Sequence, residues 1–494
     1  MKRWRYQEIY FVHADSGIRS TVRKLRQLGI PDKQERLPFL YLGRDYFKCL
    51  RWEEALGRGW QRIRYGQLFQ DIASEHQDAY LDWTARAGEK RDKLIWWSSR
   101  LAEKNTLLDS FYHQICYLMI ASHFLNEQGS ILIVAESDAL LNQISSKVQA
   151  NRKAVRLDSR SMFLRRLTLA GRILRSWAAY GARCLAAWRA ARATRTKGAS
   201  VPPIASGPTV VIHTWIDESY FAATGAPSDR YFTVLPDELT KRGFRVFVLP
   251  YLANISRSRR EAFAWFRACD GRYIIPADFY GITDYIWSAL KTIAQVRLAR
   301  EVPLFQGIDL KLLAKEFCAK QLCDASLADF IAYYTLVRRW EKLGFRIDLF
   351  VDTFENMACE KPIVMAFREF MPETVTCGYV HYLVVADLEL SIYTTSLETA
   401  SGAPHPDVIV CSSPYTARSL STQCGFPAKK IRVGPSLRYL HLAEVQDVEA
   451  VEPNSVLVIL SLVGAASAEL LEKLLQAFGQ DEGFRFWIKP HPMM

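Results

Sequence analysis

Residues 348–380, DLFVDTFENMACEKPIVMAFREFMPETVTCGYV, decide the fold class. An apolar run at 348–351 stops at polar residues, an amphipathic stretch at 353–370 follows, and a second β-branched run at 374–379 closes the segment. This reads as strand, helix, strand within about 30 residues, the length of one parallel βαβ unit. Parallel strands need a crossover of that kind, so the unit predicts a parallel sheet covered by helices on both faces.

The same alternation extends in both directions. Downstream come a strand at 407–411, a helix at 413–423 and a short strand at 431–433. Upstream, a strand at 209–213, a helix at 235–242 ended by Gly243, and a strand at 245–249 precede a mostly helical stretch at 283–343. Residues 1–150 read as an N-terminal α/β region. It has strands at 8–12 and 39–42, helices at 17–28, 80–103 and 107–125, and the buried strand SILIV at 130–134. Ser137 is placed to cap a helix running to Val148. Residues 151–200 read as a basic amphipathic helix and linker, with KGASVPPIASGP at 197–208 as the flexible part. Residues 201–442 complete this domain. Residues 443–494 hold an acidic linker, EVQDVEAVEPNS, then a strand at 455–460, a helix at 468–478 and a strand at 484–488. A lone unit of that size does not bury a stable core, so the expectation is a second domain of which this chain carries an incomplete part.

Composition is that of a folded chain: 49% apolar and 23% charged residues over 494 positions. The net charge of +12 is local. Positions 152–197 contain 13 basic residues and the single acid Asp158, which accounts for the whole excess. A neutral body with one basic segment points to a local anionic surface and away from nucleic acid as a partner. The ten cysteines include no CxxC pair, and no zinc pattern is expected. Several of them sit in apolar stretches and read as buried thiols, which fits a reducing cytoplasm. The start, MKRWRYQEIYF, has no long apolar core followed by a cleavage signal, and no run of 18 apolar residues occurs.

On a helical wheel, Phe163, Leu167, Leu174, Trp177, Leu185 and Trp188 fall on one face of the basic segment, with Arg165, Arg172 and Arg183 opposite. Length, aromatic anchors and arginines together predict an interfacial helix on an anionic membrane. The alternative is a solvated helix packed on the body through the same stripe.

Four spots can carry chemistry, and each also has a purely structural reading. In Asp352-Thr353-Phe354-Glu355-Asn356, either carboxylate can deprotonate an acceptor hydroxyl at the ligand-facing end of a strand. Equally, Asp352 can cap a helix with Glu355 reaching back to it. His381, in Gly378-Tyr379-Val380-His381-Tyr382, can act as a base or phosphate contact, or serve as a satisfied structural histidine. Ser412 and Ser413 open a helix, where free N–H groups favour an anion or need a plain cap. Arg438 lies in Gly434-Pro435-Ser436-Leu437-Arg438-Tyr439. Lys489 and His491, in the strand-terminal KPHP, can bind phosphate oxygens or stiffen a loop.

The order DTFENMACEKP, GYVHY, VCSSPYTARSL, KKIRVGPSLRY and then a βαβ unit ending in KPHP resembles a bacterial surface carbohydrate (polysaccharide) biosynthesis family. The resemblance covers chiefly residues 345–494, and WWSSRLAEKNTL near the N-terminus has the same flavour. That family resembles GT-B glycosyltransferases, which have two facing Rossmann-like domains. The strand-terminal His-Pro is similar to a motif of bacterial sialyltransferases and Kdo transferases, where the histidine helps bind the CMP part of the donor; here that role falls on His491. The resemblance implies transfer of a sugar from a nucleotide sugar, with a CMP-linked donor among the candidates, to a glycan or lipid-linked acceptor of capsule or lipopolysaccharide type. It implies no cofactor of the enzyme's own and no metal, and a peripheral location on the inner face of the plasma membrane. Glu355, Asp352 and His381 take the catalytic roles; Lys489, His491, Ser412, Ser413 and Arg438 bind substrate. Family members continue past the His-Pro with further phosphate contacts that this sequence does not show. A nucleotide-sugar epimerase and a non-catalytic or truncated partner of the synthesis machinery remain the alternatives.

Overall fold

The computed structural model describes residues 8–30, 36–106, 111–127, 129–149, 152–158, 162–195, 207–221, 229–253, 255–269, 271–382, 390–444, 452–480 and 483–491. The start of the chain, most of the 197–208 linker, most of the acidic linker after 443, the opening of the expected 107–125 helix and Pro492 lie outside the described residues. The chain forms two compact units. One takes Met1–Glu75, His113–Leu167 and Ala443–Met494; the other takes His76–Tyr112 and Thr168–Leu442. The boundaries read from the sequence cut the chain differently: residues 76–112 join the second unit, and 443–494 join the first.

The first unit holds a five-stranded parallel sheet of β1 (Glu8–His13), β2 (Leu37–Leu42), β3 (Trp60–Arg62), β4 (Ile131–Ala135) and β5 (Lys153–Arg156), in the order β3-β2-β4-β1-β5. The central strands are continuous apolar runs, as burial on both faces requires. Trp52 is wholly buried beneath them, and its indole N–H donates to the Ala14 carbonyl at 3.1 Å. Ser137 caps its helix as expected, accepting the Leu140 N–H at 3.0 Å.

The second unit holds a six-stranded parallel sheet. Its strands are β6 (Thr209–Ile216), β7 (Arg245–Leu252), β8 (Leu349–Thr353), β9 (Val375–Val380), β10 (Val408–Cys411) and β11 (Ile431–Val433), in the order β11-β10-β9-β8-β6-β7. The chain moves from β6 to β7 on one side, then returns to place β8 on the other. In open parallel sheets ligands bind beyond the carboxyl ends of the strands beside such a switch point. The helices Leu327–Lys342 and Lys361–Phe370 cover one face, with Phe350 and Phe367 rings 4.7 Å apart. Val210, Ile212, Val351 and Tyr379 pack on the other with Phe232.

The helix expected at 353–370 begins only at Lys361, with Pro362 in its first turn. Residues 354–357 are irregular, and Asn356 is left-handed at φ +55°. Asp352 lies inside β8. The helix-cap reading of Asp352 and Glu355 is thus corrected: a left-handed residue breaks the helical path directly after Glu355, whose N–H is taken by Glu360 Oε1 at 2.9 Å.

Back in the first unit, β12 (Ser455–Ile459) and β13 (Arg485–Lys489) form a two-stranded parallel sheet. The helix Gly464–Phe478 packs on it through Phe478 against Phe484 and Phe486. Tyr46 donates to Glu472 of this helix at 2.6 Å.

The basic segment forms one helix, Met162–Thr194. Tyr180, Ala187, Ala190 and Ala191 are its buried face, where small side chains permit close packing. The wheel is turned relative to the expected alternative of packing through the apolar stripe. Phe163, Leu167, Leu174 and Leu185 are exposed. Trp188 is half-buried, and Trp177 turns inward to donate to the Leu322 carbonyl at 3.1 Å. Arg165 pairs with Asp138 and Asp158, and Arg183 with Asp329, so these arginines face the protein. Among the described residues no helix is long and apolar enough to cross a membrane.

Candidate functional site

The carboxyl edge of the six-stranded sheet gathers three of the residues expected to act. Glu355 follows β8, His381 follows β9, and Arg438 follows β11 by a short turn. Glu355 Oε1 lies 3.8 Å from His381 Nε2, with the carboxylate one-third exposed and the imidazole only 5% exposed. The Tyr231 ring meets His381 edge-on at 4.8 Å, and the Arg438 guanidinium stands 5.6 Å from the same ring. Arg230, next in the chain, pairs with Asp217 at the end of β6 at 2.7 Å.

Backbone bonds fix these groups. Asp229 accepts the N–H groups of Tyr231 and Phe232 at 2.7 and 2.8 Å, which sets the turn that presents Tyr231. The Tyr379 hydroxyl donates to the Pro435 carbonyl at 3.0 Å and accepts the Leu437 N–H at 2.9 Å, anchoring the turn before Arg438 to β9. Thr233 adds a bond to the Leu437 carbonyl at 3.1 Å. Burial, and secondarily the charge of Arg438, lowers the His381 pKa to about 4. His381 is therefore neutral at pH 7, and its Nδ1 is buried without a hydrogen-bond partner. The arrangement offers a solvent-facing carboxylate beside a neutral imidazole, with the Arg438 guanidinium nearby for an anion.

Asp352 stands apart from this cluster. It and His213 are neighbours in the β6–β8 register, and His213 Nδ1 lies 2.9 Å from Asp352 Oδ1 in the interior. An ionised carboxylate can only accept, so Nδ1 carries the proton. Nε2 lies 3.3 Å from the Tyr333 hydroxyl.

Beneath the cluster, a buried polar frame holds the loop after β8. Glu103 accepts the N–H groups of Lys104, Asn105 and Ala358, each at 2.9 Å. Lys361 donates to the Asn356 side chain. The carboxyl end of Glu360 is buried although the residue is partly exposed, and Oε2 has no partner. Burial, and then the charges of Asp352 and Glu355, push the Glu360 carboxyl well above the usual range; burial pushes the Lys361 ammonium down. Lys104 Nζ binds both oxygens of Glu398 at 2.9 and 3.0 Å and the Tyr393 carbonyl at 2.6 Å. Burial alone would raise the Glu398 pKa, but Lys104 and His405 hold it at about 2.

The other sequence-derived site residues divide as follows. The Ser413 hydroxyl accepts the Thr416 N–H at 3.1 Å, so of the two readings left open it fills the helix cap; Ser412 precedes it, half-buried. Lys489, exposed, ends β13, and His491, half-buried, follows it; both belong to the first unit. The sequence singled out Glu355, His381 and Arg438 because each follows a legible strand. It missed Asp217, Arg230 and Tyr231, which sit in an irregular connection with no periodic signal. Among the described residues, no group of three or more His, Cys, Asp or Glu is placed to hold a metal ion.

The fold and site define a Rossmann-like α/β protein of parallel sheets flanked by helices, with titratable groups at a sheet's carboxyl edge. No family model, curated protein or solved structure matches this chain.

Proposed function

We propose that the chain is a GT-B-like glycosyltransferase of surface-polysaccharide synthesis that moves a sugar from a nucleotide donor, of which a CMP-linked sugar is one candidate, to a membrane-associated glycan. The observation that carries this reading is the Glu355–His381–Tyr231–Arg438 cluster at the carboxyl edge of the six-stranded sheet, beside the switch point where such folds bind ligands. Glu355 is the base. It takes the acceptor hydroxyl proton as the acceptor oxygen bonds to the anomeric carbon and the bond from that carbon to the donor phosphate breaks. His381, neutral and 3.8 Å from the carboxylate, lines the site beside it, and Arg438 takes the negative charge of the donor. Asp352, held by His213, has no part in the proton transfer. Lys489 and His491, to which the resemblance gives a donor-binding role, belong to the first unit. The reaction draws on the donor's own leaving group and needs no resident cofactor.

The basic helix fits a location on an anionic inner leaflet, since its exposed side carries Phe163, Leu167, Leu174 and Leu185 among arginines. The test is transfer from CMP-, UDP-, GDP- and CDP-sugars to a lipid-linked glycan fraction, with thermal stabilisation by each nucleotide read in parallel. One nucleotide stabilises the protein and supports transfer. Glu355→Gln keeps the stabilisation and loses transfer by a factor of about 100 or more. Donor epimerisation without acceptor would replace this reading with the epimerase. Absence of both stabilisation and turnover would leave the non-catalytic partner.

A further inference from the structure

The helix Ile282–Ala294 carries a second apolar stripe that the sequence pattern did not single out. Ile282, Ile286, Leu290 and Ile293 follow one another at helical spacing and are 63, 53, 60 and 44% exposed. Single exposed aliphatic residues are ordinary, but four in line on one helix form a patch of the kind that marks an interaction surface. The other side of the helix is occupied: Asp284, Ser288 and Thr292 are buried, and Trp287 stacks on Tyr334 at 5.8 Å.

This stripe borders the basic helix within the second unit. The Tyr180 and Ser288 hydroxyls are 3.2 Å apart, and Trp177 and Ala289 pack on the same small cluster of Tyr180, Ala325 and Ala328. Ala289 lies one turn from both Ile286 and Ile293, and Trp177 lies one turn from Leu174. The seam between the helices therefore runs along the edge of each stripe. Leu174 and Leu185 on one helix and the four aliphatic residues on the other are all exposed to solvent.

We propose that these two helices form a single docking face for an anionic phospholipid bilayer. The aliphatic residues enter the boundary between headgroups and acyl chains, and the arginines meet lipid phosphates. This rests on the membrane reading given above and extends it to a second element. Charge selects the occupant. The basic helix has seven arginines and no acid. Arg165 and Arg183 have carboxylate partners; among the described residues Arg166, Arg172, Arg175, Arg189 and Arg192 have none. The sole acid of the neighbouring helix, Asp284, is buried against Arg338 and Arg339. A nucleic acid would satisfy the arginines but leave the aliphatic stripe in water. A second copy would cover the stripe but bring two sets of unpaired arginines together.

The test is flotation of the full chain with vesicles of phosphatidylcholine alone and of phosphatidylcholine mixed with phosphatidylglycerol. The protein floats with the anionic vesicles only. Ile286→Asp/Leu290→Asp and Leu174→Asp/Leu185→Asp each reduce the bound fraction about tenfold or more. Both leave the melting temperature unchanged, and serine replacements serve if the aspartates lower it. If the Ile286/Leu290 variant floats like the wild type while the Leu174/Leu185 variant does not, the two-helix face is wrong and the basic helix alone binds. If the wild type fails to float, both readings fall. If the Ile286/Leu290 variant instead turns a dimer into a monomer with vesicle binding unchanged, the face belongs to a second copy and the proposal is overturned.

Discussion

Replacing Lys104 with methionine tests whether the buried frame under the site is held by charge. Lys104 and Glu398 are 1% and 0% exposed, and Lys104 makes three hydrogen bonds, two of them to Glu398. Without the ammonium, the carboxylate loses its two closest contacts, and His405 stands 3.8 Å away. Stranding one partner of a buried pair costs about 3–5 kcal/mol. The native carboxyl points the same way: its pKa is depressed to about 2 against 4.5, a stabilisation of about 3 kcal/mol at about 1.4 kcal/mol per unit. The double variant Lys104→Met/Glu398→Leu removes both charges and is expected within about 1 kcal/mol of wild type. The sign with pH follows. Because the native carboxyl is depressed, its stabilisation is present above about pH 4.5 and is lost as pH falls through about 2. In Lys104→Met the unpaired carboxyl titrates above its ordinary value, so that variant regains ground against wild type between pH 7 and 4. Urea unfolding of the three proteins at several pH values measures all of this. A double variant as unstable as the single one, at every pH, would refute the reasoning and assign the cost to lost packing.

Three further outcomes follow from the same geometry. Burial holds His381 at about 4 against 6.5, so it contributes stability above pH 6.5 that is lost as pH falls toward 4, about 3 kcal/mol over the window; urea midpoints of His381→Asn should fall less steeply with acid than those of wild type, and parallel curves would contradict this. Tyr379→Phe removes the hydroxyl that joins Pro435 and Leu437, costs about 1–2 kcal/mol and speeds amide exchange at Leu437, while the packing on Phe232 stays. Gly425→Ala places a Cβ 2.2 Å from the Thr394 carbonyl oxygen at φ +80° and lowers the melting temperature well beyond Gly29→Ala, which meets only open space at φ +73°; equal shifts would show that backbone conformation, not the close contact, sets the cost.

Much of the sheet was legible because parallel strands buried on both faces are unbroken apolar runs. ILIVA and the VVI core of the strand read at 209–213 announce themselves in this way, although β6 runs on to Ile216 through His213 and Thr214. WQR and KAVR do not, since β3 and β5 are short and largely polar. The helix after β8 starts eight residues later than its apolar periodicity suggested, because left-handed Asn356 interrupts the path. The basic helix was legible as a helix but not in its rotation. The wheel located an apolar stripe and an arginine stripe. Two of the arginines pair with acids on the body, Arg165 with Asp138 and the nearby Asp158 and Arg183 with Asp329, and Asp138 and Asp329 lie outside the segment that the wheel reads. The Lys104–Glu398 pair joins positions 294 apart in the chain, and no local period records it.

The segment DTFEN shows how strand parity sorts chemistry that a linear reading leaves mixed. Phe350 and Asp352 share one face of β8, and the β6 register sets His213 beside Asp352, so that carboxylate is committed to the interior. Glu355 lies beyond the strand, on irregular backbone, where its side chain is free of parity and reaches the solvent edge beside His381. Asp352→Asn therefore tests the fold. It replaces the charged acceptor of a buried imidazole N–H, and about 1.5–3 kcal/mol of stability should go with it. Glu355→Gln tests the chemistry, since the carboxylate is one-third exposed and its loss should leave the urea midpoint within about 0.5 kcal/mol of wild type. Urea unfolding and sugar transfer measured on both variants separate the two roles. If Asp352→Asn kept full stability and lost transfer, the buried Asp352–His213–Tyr333 chain would be part of the proton path, and Glu355 would not be the base.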